Sequence, residues 1–322
     1  MDAVQRMYNK LEAGSAAFNC GGCIGNLDPL LRTSIYTRLL FERLKRKNDS
    51  IIEIYSNEGQ SWEQVFHVLL LRFLGAPSNT RAFETLARRT PYSAVKLYSR
   101  TPQRLEALFI GTSGLLDLYP HDEYTLNIRS EFEYLARKHN IRKMHPSEWV
   151  TERIYPYNHP VLRMAQAAAI LSQPAFGIDR ILGCRTADDV ERLLCCEASD
   201  YWTTHFRPSA ESEGIIKRLG REKADILAIN AIAPLQFSHG SYINSDRLRD
   251  RAINLLDELK PENNSKVRCW RNNGLMPRSA FETQALIQLG DEYCRKQRCR
   301  ECPVGLQIVK TLEESCKVKE NK

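Results

Sequence analysis

No run of uncharged apolar residues in this 322-residue sequence approaches the roughly 18 that a membrane-spanning helix needs. The longest candidates, around Val65 to Leu74 and Ala165 to Leu171, are short or interrupted. The first twenty residues carry Asp2, Arg6, Lys10 and Glu12, which leaves no apolar core for an export signal. Alternation of apolar and polar residues at period two is nearly missing, and no repeat recurs at a fixed period. Familiar catalytic signatures are missing too: no GxxxxGK[ST], no GxGxxG after a strand, no GxSxG, no HExxH, and no strand-borne Asp followed by Glu-x-Lys. These absences predict a soluble, cytoplasmic, mainly α chain that uses none of the common reaction centres and has no membrane partner.

What is present is helix punctuation. Asp28 before Pro29 caps a helix whose apolar face runs through Leu31, Ile35, Leu39, Phe41 and Leu44 to Asn48. Ser61 with Gln64 opens a second, through Val65, Leu69 and Phe73 to Gly75 and Pro77. Further starts fall at Thr101-Pro102, Asp122, Pro160, Thr186 and Ser279, the last with Glu282 three residues on. A helix from Arg221 to Ile232 is expected to stop at Pro234. Only Ser93 to Tyr98 and Leu306 to Leu312 read ambiguously as strands. Lys45-Arg46-Lys47 reads as the solvated, basic end of the first helix.

The sequence contains 46 Lys and Arg against 39 Asp and Glu, a surplus of +7. Most of it lies after the linker-like stretch Lys260 to Asn264, where Lys266, Arg268, Arg271, Arg278, Arg295, Lys296, Arg298 and Arg300 face only Glu282, Asp291 and Glu292. The division expected is a helical body, 1–265, and a basic cysteine-bearing module, 266–322, either separate or packed with the body as one domain: a multi-helix body, then a C-terminal helix followed by a Cys-rich loop. Exposed cations of this kind suit DNA or RNA phosphates, with Arg268, Arg271, Arg295, Lys296, Arg298 and Arg300 as the contact residues.

Ten cysteines in a reducing compartment point to metal or plain packing before disulfides. Cys294, Cys299 and Cys302 follow a helix at spacings of four and two intervening residues, and a Cys-x2-Cys turn places two sulfurs beside one ion. The basic neighbours favour thiolates. The reading is a metal clip, zinc before an iron-sulfur cluster, weighed against reduced cysteines that merely end a helix. A fourth donor is missing from the local pattern. Cys316 lies further on, while Cys269, Cys20, Cys23 or His239 would have to approach through the fold. Cys20-Gly-Gly-Cys23 has metal or redox spacing of its own, without a βαβ context.

Three weaker candidates bear on catalysis. Glu106 stands on an apolar helix where a buried carboxylate needs a partner, for which Arg163 is one candidate. Tyr201-Trp202 with His205 suits base stacking or core packing.

The loop at Cys294 to Cys302 resembles the cluster loop of helix-hairpin-helix DNA glycosylases. It differs in a gap of four residues instead of six, and in Ile308 where their fourth cysteine stands. Their hairpin and catalytic Asp are not recognisable. A wider set of stretches resembles an uncharacterised bacterial family known only as a domain of unknown function: Glu42-Arg43-Leu44 with Lys47, Trp62-Glu63, Glu106 to Gly111 with Gly114, Tyr201-Trp202 with His205, Ile229-Asn230 with Pro234, and Gln284 to Gln288 running into Tyr293 and the three cysteines. Longer members of that family carry an N-terminal segment similar to a PD-(D/E)XK nuclease core, which this sequence does not contain. The resemblance therefore implies a nucleic-acid-associated protein without its own nuclease centre. The alternatives are an interaction scaffold completed by a separately encoded nuclease-like polypeptide, and an enzyme of unrecognised chemistry using Glu106, Arg163 or His205.

Overall fold

The computed structural model describes residues 20–320 apart from Ala175, with side chains described up to Thr311. Helix dominates, as the sequence predicts. The helices are α1 (Gly21–Gly25), α2 (Pro29–Asn57), α3 (Trp62–Leu74), α4 (Thr80–Arg89), α5 (Tyr92–Tyr98), α6 (Pro102–Ser113), α7 (Glu123–His139), α8 (Pro160–Leu171), α9 (Ile178–Gly183) and α10 (Ala187–Leu194). After them come α11 (Arg221–Leu227), α12 (Ala233–Tyr242), α13 (Asp246–Glu258), α14 (Ser265–Asn272), α15 (Ala280–Leu289) and α16 (Pro303–Glu320). Among the described residues the strands form one small antiparallel ribbon, β1 (His205–Arg207) and β2 (Ala210–Glu211).

The chain groups into two compact units. Of the described residues, one holds those from Cys20 to Asp49 together with those from Leu256 onward; the other is Ser50–Leu255. In this grouping the residues from Cys20 to Asp49 join those from Leu256 onward.

The caps read at Asp28, Ser61, Asp122, Thr186 and Ser279 are made in the structure, whereas Thr101 makes no side-chain cap bond. Asp28 Oδ1 accepts from the Leu30 and Leu31 amides at 2.9 and 3.2 Å, and Ser61 Oγ accepts from Gln64 at 3.2 Å. Asp122 and Thr125 form a reciprocal capping box at α7. Three local readings change. α2 does not stop at Asn48, because buried Ile51 and Ile54 extend its apolar face by another two turns. Lys45 to Lys47 therefore lie mid-helix. Pro234 does not end its helix either. The Ala233 amide bonds back five residues to Ala228, and this wider π turn, Ala228–Ile232, leads into α12 with Pro234 in the first turn, where no backbone donor is needed. The two ambiguous stretches are helical, in α5 and α16.

In the unit Ser50–Leu255, α6 lies against α7 and α8, with Leu105, Leu108, Phe109 and Ile110 fully buried. α6 and α7 meet at Gly111, where an added Cβ would stand 2.1 Å from the Phe132 ring, so no larger residue fits without moving the helices. In the other unit a second core joins Ile24, Ile35, Leu39, Trp270, Leu286, Leu289, Tyr293, Cys302 and Val304. The Trp270 indole donates to the Leu286 carbonyl at 2.9 Å, which satisfies its one polar atom inside that core.

Candidate functional site

The thiols of the Cys-rich loop are positioned by backbone irregularities. α15 gives way to a π turn, Gly290–Cys294, closed by the Arg295 amide on the Gly290 carbonyl at 3.0 Å. The Arg298 amide then reaches the Tyr293 carbonyl at 2.9 Å. This widened turn carries Cys294 and swings the chain through Cys299 to Cys302, which precedes Pro303 at the start of α16. Gly305 sits one turn into α16, and a Cβ there would lie 2.3 Å from the Cys299 carbonyl oxygen. Only glycine lets the loop fold back this closely.

Cys20, Cys294, Cys299 and Cys302 line one cavity of about 30 Å³, walled also by Tyr293, Gly305 and Ile308. The fourth thiol that the local spacing lacks is thus supplied by Cys20. Ile308, standing where the glycosylase loop has a cysteine, forms part of the wall. All four are free thiols. The Cys20 and Cys294 thiols interact directly, which lowers the pKa of Cys20 and raises that of Cys294 well above the ordinary range. Burial pushes Cys302 up to about 11, although the Val304 and Gly305 amides point at its sulfur and pull the other way. Among the described residues no three Cys, His, Asp or Glu side chains are arranged to hold a metal ion. Of the other donors considered, Cys23 is exposed and Cys269 packs on the core without reaching the cavity. His239 packs edge-on against Trp62. The Cys316 side chain lies outside the described residues.

The basic residues around this loop are exposed, Arg271 only partly so. They are also engaged. Arg295 pairs with Asp291 at 2.8 Å, Lys296 with Glu292 at 2.6 Å, and Arg298 with Glu301. Arg268 donates to the Asn263 carbonyl at 3.4 Å, and Arg271 to Asn263 Oδ1 at 3.2 Å. The carboxylates come from the same segment as the cations, which lowers its effective surplus. Exposed pairs three or four residues apart are worth well under 1 kcal/mol each, so a phosphate can still compete for them.

Several stretches that carry the family resemblance meet in this unit. Arg43 Nε and Lys47 Nζ both donate to Gln284 Oε1, at 2.6 and 3.3 Å, and Gln284 donates onward to Glu262. Arg46 reaches Gln288 Oε1 at 2.7 Å and also Glu292. Tyr293 donates to Glu42 at 2.8 Å. Arg46 and Lys47 are thus bound into a polar ladder, and the reading of Lys45 to Lys47 as a solvated helix end does not hold for them.

The catalytic candidates fall in the unit Ser50–Leu255 and do not converge. Glu106 lines a cleft of about 530 Å³ with Tyr124, Gln173, Ser199, Asp200 and Tyr201. Its Oε2 accepts from the Tyr124 hydroxyl at 2.6 Å and from Ser199 at 3.1 Å, and burial raises its pKa above the carboxylate norm. Arg163 is not its partner. That guanidinium is bound to Gln166 and Asn158, both at 2.8 Å, and burial lowers it to about 10. His205 stacks on Tyr201 at 4.0 Å, and Tyr201 on Tyr124 at 3.8 Å, which leaves the imidazole behind the ring that lines the cleft. Sequence reasoning missed Tyr124 and Ser199 as partners of Glu106, since no spacing links residues so far apart in the chain.

The structure defines a mainly helical protein with a shared thiol cavity in one unit and a carboxyl-lined cleft in the other. Over residues 1–265 the chain matches the family described as Protein of unknown function (DUF2851), and it belongs to that family. The match ends before the Cys294 to Cys302 loop. No curated protein and no solved structure matches the chain. Among the described residues no helix is long and apolar enough to cross a membrane.

Proposed function

We propose that this protein associates with nucleic acid through the segment Arg268 to Arg300. What supports the reading is the outward placement of Arg295, Lys296, Arg298 and Arg300 on the turns between the converging cysteines. A loop held at its thiols presents these cations together, and phosphate oxygens accept from such donors without regard to base sequence. The ion pairs within the segment make the contact a modest one with few phosphates neutralised.

The test is fluorescence anisotropy of the full chain with labelled single-stranded DNA, duplex DNA and RNA, between about 50 and 200 mM salt. Affinity is expected to fall steadily as salt rises, with the slope reduced in an Arg298→Ala, Arg300→Ala double variant. Absence of binding near 50 mM salt overturns the reading, and leaves a protein partner such as a separately encoded nuclease-like polypeptide as the alternative occupant.

A second reading, chemistry or ligand binding in the cleft at Glu106, is favoured by its size. About 530 Å³ lies within the range of small-molecule sites, and the carboxyl on its wall is held by two hydroxyl donors. Glu106→Gln, which keeps the acceptor and removes the acid, separates the two roles: ligand-induced thermal shifts survive the change if the group only binds.

A further inference from the structure

Thiols used only as small apolar groups bury sulfur against carbon. Around the cavity of about 30 Å³ the arrangement is different: Cys20 ahead of α1, Cys294 in the π turn, Cys299 in the loop and Cys302 before α16 all turn to the same space. The Val304 and Gly305 amides at the start of α16 point at the Cys302 sulfur and oppose the burial that raises its pKa. Gly305 admits the Cys299 carbonyl where any side chain would expel it. The remaining wall, Tyr293 and Ile308, contributes rings and methyl groups, with no competing carboxylate or imidazole.

We propose that Cys20, Cys294, Cys299 and Cys302 hold a single zinc ion as four thiolates in a closed structural site. Four sulfur donors complete the tetrahedral set that zinc takes in structural sites. Each thiol gives up its proton on loading, so one Zn²⁺ and four thiols yield the tetrathiolate complex and four protons. The amides of Val304 and Gly305 and the exposed cations on the intervening turns offset the double negative charge that results. Loading draws the sulfurs inward and ties the residue before α1 to the turn before α16, within one unit. Cys23 and Cys269 lie nearby in sequence or in the same core but outside the cavity, and serve as internal controls. The site stands independently of nucleic-acid binding: zinc retention without oligonucleotide affinity, or the reverse, distinguishes the two.

The experiment is elemental analysis of the full chain purified under reducing conditions, followed by cobalt(II) titration of the zinc-stripped protein. One zinc per chain and the intense thiolate-to-cobalt and tetrahedral ligand-field bands of a four-sulfur site are expected. Cys20→Ser and Cys302→Ser lose those bands, while Cys23→Ser and Cys269→Ser keep them. Should the serine variants fail to fold, the wild-type cobalt spectrum decides alone, because band intensity reports the number of bound thiolates. No bands in the wild type, equal loss in Cys23→Ser, or iron with a brown chromophore in place of zinc overturns the proposal.

Discussion

The Tyr124 hydroxyl donates to Glu106 Oε2 at 2.6 Å, and the acceptor is a carboxyl whose burial favours its protonated form. A carboxyl with a raised folded pKa adds stability in full below its ordinary value of 4.5, and that contribution is lost as pH rises through the folded value. Wild-type melting temperature should therefore fall relative to Glu106→Gln as pH rises above 4.5. Two parallel melting curves would show that Glu106 titrates normally.

Acid should act in the opposite sense through two imidazoles. His67, held by Thr90 Oγ1 at 3.3 Å, and His159, held by Tyr119 at 3.0 Å, are both pushed down to about 4 by burial. Their folded pKa lies below the unfolded value of 6.5, so stability is full above 6.5 and is lost as pH falls towards 4. Each imidazole accounts for up to about 3 kcal/mol over that interval. Urea midpoints measured from pH 7 to pH 4 should drop less steeply in His67→Leu than in wild type; identical slopes would remove His67 from the account.

Gly305→Ala places a methyl group 2.3 Å from the Cys299 carbonyl and should cost about 1 to 3 kcal/mol. The loss should be accompanied by faster reaction of Cys299 and Cys302 with a thiol reagent, because the turn must lift away from α16. Unchanged stability and reactivity would mean that the loop does not pack on this glycine.

Gln284→Ala strips the acceptor shared by Arg43 and Lys47 and the donor that reaches Glu262. Orphaned polar groups of this kind cost about 1 to 3 kcal/mol. Denaturant unfolding should show a loss in that range, whereas Lys45→Ala, an exposed side chain on the same helix, should stay within about 0.5 kcal/mol of wild type. A neutral Gln284→Ala would show that water replaces the ladder.

Much of the secondary structure was legible because its causes are local. A capping Asp or Ser, a proline at the first turn and an apolar stripe act within four residues, and Asp28, Ser61, Asp122 and Ser279 do what their positions predict. The local readings that failed did so where packing overrode a breaker, as when Ile51 and Ile54 carried α2 beyond Asn48, or where a π turn accommodated Pro234. Three of the four cavity thiols could be named from spacing because they share one turn. Their basic neighbours could be counted but not paired, since the carboxylates that hold Arg295, Lys296 and Arg298 are chosen by side-chain reach and not by composition.

By itself the sequence determined that this is a helical chain, where half of its described helices begin, and that a basic, thiol-bearing turn follows the helix at Ala280. Tertiary structure alone decided that Cys20 completes the thiol set while Cys23 three residues on faces outward. It alone decided that Glu106 takes Tyr124 and Ser199 instead of Arg163. Helix starts are fixed by neighbours along the chain, whereas a long-range contact depends on how whole helices pack, and no short window of residues contains that information.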